Sequence, residues 1–185
     1  MTETAATTQS GGRAHEGAPI LPFVAPSFTQ LFEEHFGFVC RSLQRLGVRE
    51  ADLEDIAQEL FLAVHRALPE SDRSRPIKPW LFGFAVRYAS NYRRLSWHRG
   101  RELDDMPVSP KIHDKLAAKR TVLAALERLD FDKRVVLVMH DLEQLTAPEI
   151  AEELGIPLNT VYSRVRLARE AFRGFVPVEK EEGAE

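Results

Sequence analysis

The chain has 185 residues, of which 44% are hydrophobic and 29% charged, with a formal net charge of -3 and a pI near 6.1. This composition is ordinary for a soluble globular protein and leaves room for one medium domain or two small ones.

Cysteine and histidine usage argues against cross-links and metal sites. The single cysteine, Cys40, excludes an intrachain disulfide framework. No apolar run approaches the roughly 20 residues of a membrane helix, and the N-terminus lacks the basic start and apolar core of a secretory signal. The six histidines fall at no zinc-ligand spacing: His15, His35, His65, His98, His113 and His140. We therefore expect a cytoplasmic protein with no metal, no other cofactor and no membrane insertion.

The first helical pattern follows a segment without periodicity. Residues 1–24 are rich in Thr, Ala, Gly and Pro, and we expect a disordered leader there. From Ser27 onward, apolar residues recur at three- and four-residue steps, which predicts an amphipathic helix: Phe28, Leu31, Phe32, Phe36, Val39, Cys40, Leu43 and Leu46. Gly47 suits the C-terminal cap of this helix.

The segment 49–68, "READLEDIAQELFLAVHRAL", predicts a second helix with two faces. Its apolar stripe consists of Leu53, Ile56, Leu60, Val64 and Ala67. Asp52, Asp55 and Glu59 form an acidic stripe that faces away from it. Pro69 ends the helix, and a polar loop over residues 69–78 follows.

Residues 73–101 contain no Asp or Glu but many basic side chains: Arg73, Arg75, Lys78, Arg87, Arg93, Arg94, Arg99 and Arg101. A third helix is predicted to open with Pro79 in its first turn and to run to about His98. One stripe of this helix is core: Leu81, Phe84, Tyr88, Tyr92 and Leu95. The other stripe is polar, cationic and aromatic: Trp80, Gly83, Arg87, Asn91, Arg94 and His98. Trp and Arg planes without nearby acids favour contact with unpaired bases and phosphates over a plain solvated face.

The remaining chain predicts a second helical half. Residues 99–113 contain two prolines and a short acidic patch, which predicts a flexible linker. Four segments with helical periodicity follow within residues 114–176, and the acidic tail, residues 177–185, is expected to fray. No segment alternates strictly as a strand does. The predicted fold is all-α, with two small helical domains over residues 25–98 and 114–176.

Residues 146–169 carry the pattern of a helix-turn-helix. Thr146 and Glu149 form a capping box, and Gly155 suits a turn that requires a positive φ. Small and apolar residues set the approach of the two helices: Ala151, Ile156 and Val161. The second helix is expected to begin near Asn159 or Thr160 and to expose a polar and basic face: Tyr162, Ser163, Arg164, Arg166, Arg169 and Arg173. Such a helix fits the DNA major groove; the alternative is a plain helical hairpin with a solvated basic face.

Three stretches in this order resemble the extracytoplasmic-function group of bacterial sigma factors, which retains only the second and fourth conserved sigma regions. They are "DLEDIAQELFLAVHRAL", "RPIKPWLFGFAVRYASNYRR" and "LTAPEIAEELGIPLNTVYSRVRLAR". The resemblance runs from about Phe28 to Arg173. It implies a transcription initiation factor that binds core RNA polymerase, selects promoters and promotes DNA melting.

The resemblance also implies a role for each surface. The acidic helix would dock on the β′ subunit of core polymerase through Asp52, Asp55, Gln58 and Glu59. The β subunit of the polymerase would be a further partner. The loop 69–78 and the third helix would capture melted bases of the −10 element, through Arg73, Arg75, Lys78, Trp80, Arg87, Asn91 and Arg94. The last helix would read the duplex −35 element, through Thr160, Tyr162, Ser163, Arg164, Arg166 and Arg169. An anti-sigma protein is a further implied partner.

Three positions depart from the family pattern. Tyr162 stands where a basic residue is frequent, Leu167 where Arg or Lys is common, and Gln144 where Gly usually precedes the capping box.

Two other functions compete with the sigma-factor hypothesis. One is a stand-alone helix-turn-helix regulator that never touches polymerase. The other is an enzyme, for which the sequence offers no nucleophile–base motif, phosphate-binding glycine loop or metal cluster.

Overall fold

A computed structural model describes residues 27–72, 75–98 and 114–176, and these residues contain helices and no strand. The helices are α1 (Phe28–Arg45), α2 (Leu53–Ala67), α3 (Ile77–His98), α4 (Asp114–Glu127), α5 (Phe131–Leu137), α6 (Ala147–Leu154) and α7 (Leu158–Arg173). The all-α prediction is confirmed. The expected leader, linker and tail, together with Arg73, lie outside the described residues. None of the described helices is both long enough and apolar enough to span a bilayer.

Helices α1, α2 and α3 pack on one another through their apolar stripes. Ser27 and Gln30 form a capping box at the start of α1, and Gly47 follows its end with φ of 99°. This left-handed conformation is the one that the glycine was expected to supply. The core between the helices is fully buried and includes Leu31, Val39, Leu43, Leu60, Phe61, Val64, Leu81 and Phe82.

Helix α3 begins at Ile77, so Pro79 lies in its first turn as predicted. The predicted core stripe holds only in part. Leu81 and Phe84 are buried, but Leu95 is 42% exposed. Burial falls along the stripe toward the C-terminal turns of α3, which therefore lie at the edge of the core. The prediction that Leu95 is a core residue is wrong for this reason.

Helices α4 to α7 form the second half and include the predicted helix-turn-helix. Thr146 caps α6, with its amide donating to Oε2 of Glu149 over 2.7 Å. Gly155 has φ of 62° between α6 and α7, and Val161 is fully buried between the helices. The helix-turn-helix prediction is confirmed. The segment that follows α5 winds into a π-helical turn, Val138–Leu142, before the capping box begins.

Gln144 is the one non-glycine residue with positive φ in the described part of the chain, at 59°. An L-residue pays a steric penalty in this region. The side-chain amide of Gln144 donates to the carbonyl of Asp141 over 2.7 Å and holds the turn. The backbone geometry therefore explains why glycine suits this position and how glutamine is accommodated.

The two halves are in contact, which the sequence did not indicate. Arg45 at the end of α1 pairs with Glu143 beyond the π-turn. Arg134 of α5 is 3% exposed and donates to the carbonyl of Leu46 over 3.2 Å. Helix α3 also packs against α6. Buried residues from both halves consequently belong to a single apolar cluster.

Candidate nucleic-acid and protein interfaces

The cationic face of α3 is organised around two aromatic rings. Trp80 is half-buried and meets Phe84 edge-on, with ring centroids 5.1 Å apart. The guanidinium of Arg87 lies 4.9 Å from the centroid of the Phe84 ring. Phe84 itself is buried, so it fixes both neighbours at the surface. The arrangement presents an indole and a guanidinium plane side by side, which suits the stacking of unpaired bases.

The other residues expected on this face surround that pair. Asn91 and Arg94 are exposed, and Arg94 donates to Oδ1 of Asn91 over 3.0 Å. Lys78 and Arg75 are exposed at and before the start of α3. The structure therefore brings six of the seven expected −10 residues to one helix and its entry, and Arg73 lies outside the described residues.

The acidic face of α2 contains three of its four expected members. Asp55, Gln58 and Glu59 are all exposed. One turn further along the same face lies Leu62, which is 58% exposed. Sequence reasoning overlooked Leu62, although its place off the apolar stripe was a usable signal. An exposed leucine within a charged rim is a typical composition for a protein-binding surface.

Asp52 differs from the rest of the acidic set because its carboxylate is engaged inside the protein. Its Oδ2 atom accepts a 2.6 Å hydrogen bond from the hydroxyl of Tyr92 and a 3.1 Å bond from Nη2 of Arg49. Asp52 lies in the turn Glu50–Asp52 that precedes α2. These contacts tie the start of α2 to α3 and orient the acidic face.

The exposed side of α7 combines aromatic, hydroxyl and basic groups. Tyr162 is 55% exposed, and Ser163 and Arg166 are exposed beside it. Thr160 is half-buried in the first turn, and its carbonyl accepts from the Ser163 hydroxyl over 3.0 Å. No acidic residue stands in the first turn of α7. This end of the helix therefore presents donors toward a negatively charged ligand.

Two of the expected DNA-reading arginines are paired within the protein. Arg164 lies 3.0 Å from Asp132 of α5. Arg169 makes a bidentate contact with Asp141, at 2.8 Å from Nε to Oδ2 and 2.6 Å from Nη2 to Oδ1. These arginines anchor α7 on α5 and on the π-turn, whereas Arg166 makes an exposed contact with Glu170 at 3.7 Å on its own helix.

The environment of Asp141 is electrostatically tuned. Hydrogen bonding from Arg169 is the main cause that holds the pKa of the Asp141 carboxyl below its usual value, and His140 acts in the same direction. The ring Nδ1 of His140 lies 2.7 Å from Oδ1 of Asp141. The sequence did not predict the pair of Asp141 and Arg169, because these residues are 28 positions apart and meet through the packing of α7. Within the described residues no group of three or more His, Cys, Asp or Glu is placed to hold a metal.

Family models match both halves of the chain. Residues 31–99 match "Sigma-70 region 2", which includes the acidic face of α2 and the cationic face of α3. Residues 119–172 match "Sigma-70, region 4", which includes the helix-turn-helix.

Named relatives are similar over most of their length. RNA polymerase sigma factor NccH of Alcaligenes xylosoxydans is 27% identical over 154 residues, covering 77% of this chain and 83% of the relative. RNA polymerase sigma factor CnrH of Cupriavidus metallidurans is 25% identical over 170 residues, covering 84% and 89%. ECF RNA polymerase sigma factor SigE of Mycolicibacterium smegmatis is 29% identical over 175 residues, covering 86% and 65%.

Solved structures share the fold. CnrH in complex with the cytosolic domain of CnrY superimposes with a TM-score of 0.64 at 26% identity, covering 83% of this chain and 89% of that one. RpoE from Bartonella quintana, in complex with the anti-sigma factor NepR, has a TM-score of 0.69 at 18% identity, covering 83% and 98%. The second likeness concerns the fold alone.

Proposed function

This chain belongs to the extracytoplasmic-function group of the sigma-70 family, alternative sigma factors that direct RNA polymerase, and from that premise we propose which surface performs each step of initiation. Residues 25–98 and 114–176 act as the two functional domains, and residues 99–113 are the linker between them. The protein acts as a DNA-binding regulator that performs no chemical reaction, and a role on polymerase implies a cytoplasmic location.

The acidic face of α2 is the surface for core polymerase, on its β′ subunit. Asp55, Gln58 and Glu59 supply charge and hydrogen bonds at the rim, and Leu62 supplies the apolar centre that water must leave on binding. A desolvated apolar centre within a polar rim is the arrangement that carries most of the affinity at protein interfaces. Asp52 acts through its bonds to Tyr92 and Arg49, which position this face.

The cationic face of α3 is the surface for the melted −10 element. Melting without a nucleotide-driven motor requires that unpaired bases bind more strongly than paired ones. Extruding a base costs a few kcal/mol, and stacking on an aromatic side chain returns about 1–3 kcal/mol per base. Trp80 and Arg87, both set by Phe84, are placed for such stacking. Exposed cations hold the phosphates: Arg75, Lys78 and Arg94, with Arg73 before them and Asn91 as a donor and acceptor.

Helix α7 is the reader of the duplex −35 element. Tyr162, Ser163 and Arg166 are exposed and offer base-edge contacts, while Thr160 lies close to the phosphates at the start of the helix. Arg164 and Arg169 fix the angle at which α7 enters the groove, through Asp132 and Asp141. Their positive charge still contributes to the attraction of the DNA backbone.

An inhibitory protein partner is part of the proposal. The structural relative CnrH forms a complex with the cytosolic domain of CnrY, and a sigma factor with both of its binding surfaces exposed would initiate without a signal. We therefore expect an anti-sigma protein that covers one or both surfaces.

A stand-alone regulator is not favoured, because the region 2 match includes the acidic face that such a regulator would not use.

The observation that carries the proposal is the coexistence of two features: a cationic, aromatic face on α3, which has no acidic residues of its own, and a helix-turn-helix in the other half. Transcription in vitro tests it, with purified core polymerase and a library of promoter fragments. Specific start sites are expected only when the protein is added. Core polymerase that selects no start sites with the protein, at low salt and without an inhibitor, would reject the function.

A further inference from the structure

Helix α6 places two adjacent carboxylates against the cationic entry of α3. Nη2 of Arg75 lies 3.0 Å from Oε1 of Glu152 and 4.0 Å from Oε2 of Glu153. Glu152 remains largely exposed, whereas the side chain of Glu153 is only 15% exposed. The two acids therefore differ in depth, and Glu153 is the one inserted between the halves.

Gly83 provides the space for Glu153. A Cβ atom at position 83 would overlap Oε1 of Glu153 and lie 2.9 Å from its Cδ. Gly83 belongs to the same stripe of α3 as Trp80 and Arg87. The carboxylate thus lies directly on the backbone of the face that is proposed to stack melted bases.

The charged groups around Glu153 include arginines that belong to the cationic face of α3 and to its entry. Burial is the main cause that raises the pKa of the Glu153 carboxyl, while the cations of Arg75 and Arg87 oppose that rise. A carboxylate and a phosphate compete for the same guanidinium groups, because both carry anionic oxygens that accept hydrogen bonds from Arg. Glu153 therefore occupies a position that an anionic backbone would otherwise take.

We propose that Glu152 and Glu153 form an intramolecular gate, which covers the −10 surface in the free protein and must leave it before DNA can bind there. The inference rests on the proposed role of the α3 face. Because α6 is part of the helix-turn-helix, opening the gate separates the two halves. The gate couples release of the −10 surface to movement of the −35 reader.

Besides the shared apolar cluster, polar contacts join the two halves. Arg45 pairs with Glu143, and Arg134 donates hydrogen bonds to carbonyl oxygens, including that of Leu46. Its Nε is buried without a hydrogen-bond partner, and burial lowers the pKa of Arg134 to about 10. Opening returns these charged groups to water, and this hydration offsets part of the contact energy lost.

The test compares the full-length protein with the variant Glu152→Gln/Glu153→Gln, without polymerase. The control variant is Glu33→Gln/Glu50→Gln, which changes the net charge equally at two exposed acids in the first half. Binding of fluorescent single-stranded DNA of random sequence is measured by anisotropy. The gate variant is expected to bind about fivefold more tightly or better, and the control variant is expected to gain much less. Adding Arg87→Ala to the gate variant is expected to cancel the gain.

A distance measurement follows opening directly. Spin labels are attached at Arg66→Cys in α2 and Glu170→Cys in α7, in a Cys40→Ala background. The gate variant is expected to show a longer and broader distance distribution than the parent. Gly83→Ala opens the gate in a second way, because alanine favours the helix and its methyl group displaces the Glu153 carboxylate. This variant is expected to shift the DNA affinity and the label distance in the same directions as the gate variant.

Equal DNA affinity for the gate and control variants, or an unchanged label distance in both the gate variant and Gly83→Ala, would overturn the proposal. Neither reading involves polymerase or a promoter. Failure of start-site selection in the transcription assay would therefore be seen separately from failure of the gate.

Discussion

The hydroxyl of Tyr92 donates a 2.6 Å hydrogen bond to Oδ2 of Asp52, across 40 residues of sequence. Asp52 and Asp55 read alike in the sequence, as two acids of one stripe. The bond distinguishes the two residues, because Asp52 joins α2 to α3 while the side chain of Asp55 remains exposed.

Removal of this bond is expected to lower stability. Tyr92→Phe and Asp52→Asn should each reduce the free energy of unfolding by about 1–2 kcal/mol, the range for a hydrogen bond to a charged group that is partly exposed. Denaturant melts check this. Asp55→Asn is the matched control and should melt like the parent. A melt of Tyr92→Phe that matched the parent would contradict the structural role of the bond.

Charge reversal on the acidic face is expected to abolish polymerase binding. Asp55→Lys/Glu59→Lys places two cations where the proposed β′ contact requires anions, and like-charge contact at an interface is strongly unfavourable. Affinity for core polymerase is measured by anisotropy or pull-down, and circular dichroism checks the fold. Normal polymerase affinity in the double variant would remove the role of this face.

Leu62→Ala is expected to weaken polymerase binding without loss of stability. The side chain is exposed in the free protein, so its truncation leaves no cavity, whereas a leucine at the centre of an interface contributes about 1–3 kcal/mol when it is desolvated. Leu158→Ala, at an exposed leucine in α7, is the control for general loss of apolar surface. Equal polymerase affinity for Leu62→Ala and the parent would exclude Leu62 from the contact.

Alanine at Arg87, Asn91 and Arg94 is expected to impair DNA melting more than duplex binding. These side chains share the face that is proposed to hold unpaired bases, and they lie in the other half from α7. Permanganate reactivity of melted thymines measures the open complex, and gel shift measures closed binding. Permanganate footprints that matched the parent would contradict the assignment of this face.

The arginines of α7 are expected to fall into two classes. Arg166→Ala should weaken −35 binding by about 1–3 kcal/mol at unchanged stability, the value of one base-specific contact. Arg169→Ala should in addition lower stability by up to about 1 kcal/mol, since it breaks a partly exposed pair with Asp141. Thermal melts and upstream footprints separate the two. Identical melts for the two variants would remove the anchoring role of Arg169.

The Asp141–Arg169 pair also predicts a pH dependence. The pKa of Asp141 is lowered in the folded protein, chiefly by Arg169, so the pair stabilises the fold above the unfolded-state pKa near 4. This stabilisation is lost as the pH falls through the lower folded-state pKa. The difference in unfolding free energy between the parent and Asp141→Asn should therefore be present at pH 7 and vanish in acid. A difference that stayed constant with pH would reject the pair.

The sequence by itself determined the helices, the helix-turn-helix and the separation of an acidic face from an acid-free one. These features depend on local rules: apolar spacing within one helix, the Thr146–Glu149 capping box, and the positive φ at Gly155. Each involves residues a few positions apart, so the pattern can be read along the chain. Family membership could be inferred at this level because its motifs are equally local.

Only the tertiary structure decided which members of each surface are available. Asp52 turns to Tyr92, Arg169 to Asp141 and Arg75 to Glu152, and each pair joins residues 28 to 77 positions apart. Side chains of one type look equivalent in a sequence, but their energies depend on which opposite charge the packing brings within about 3 Å and on how much water it removes. Those two quantities are set by the packing of helices against one another, and helical periodicity alone does not contain them.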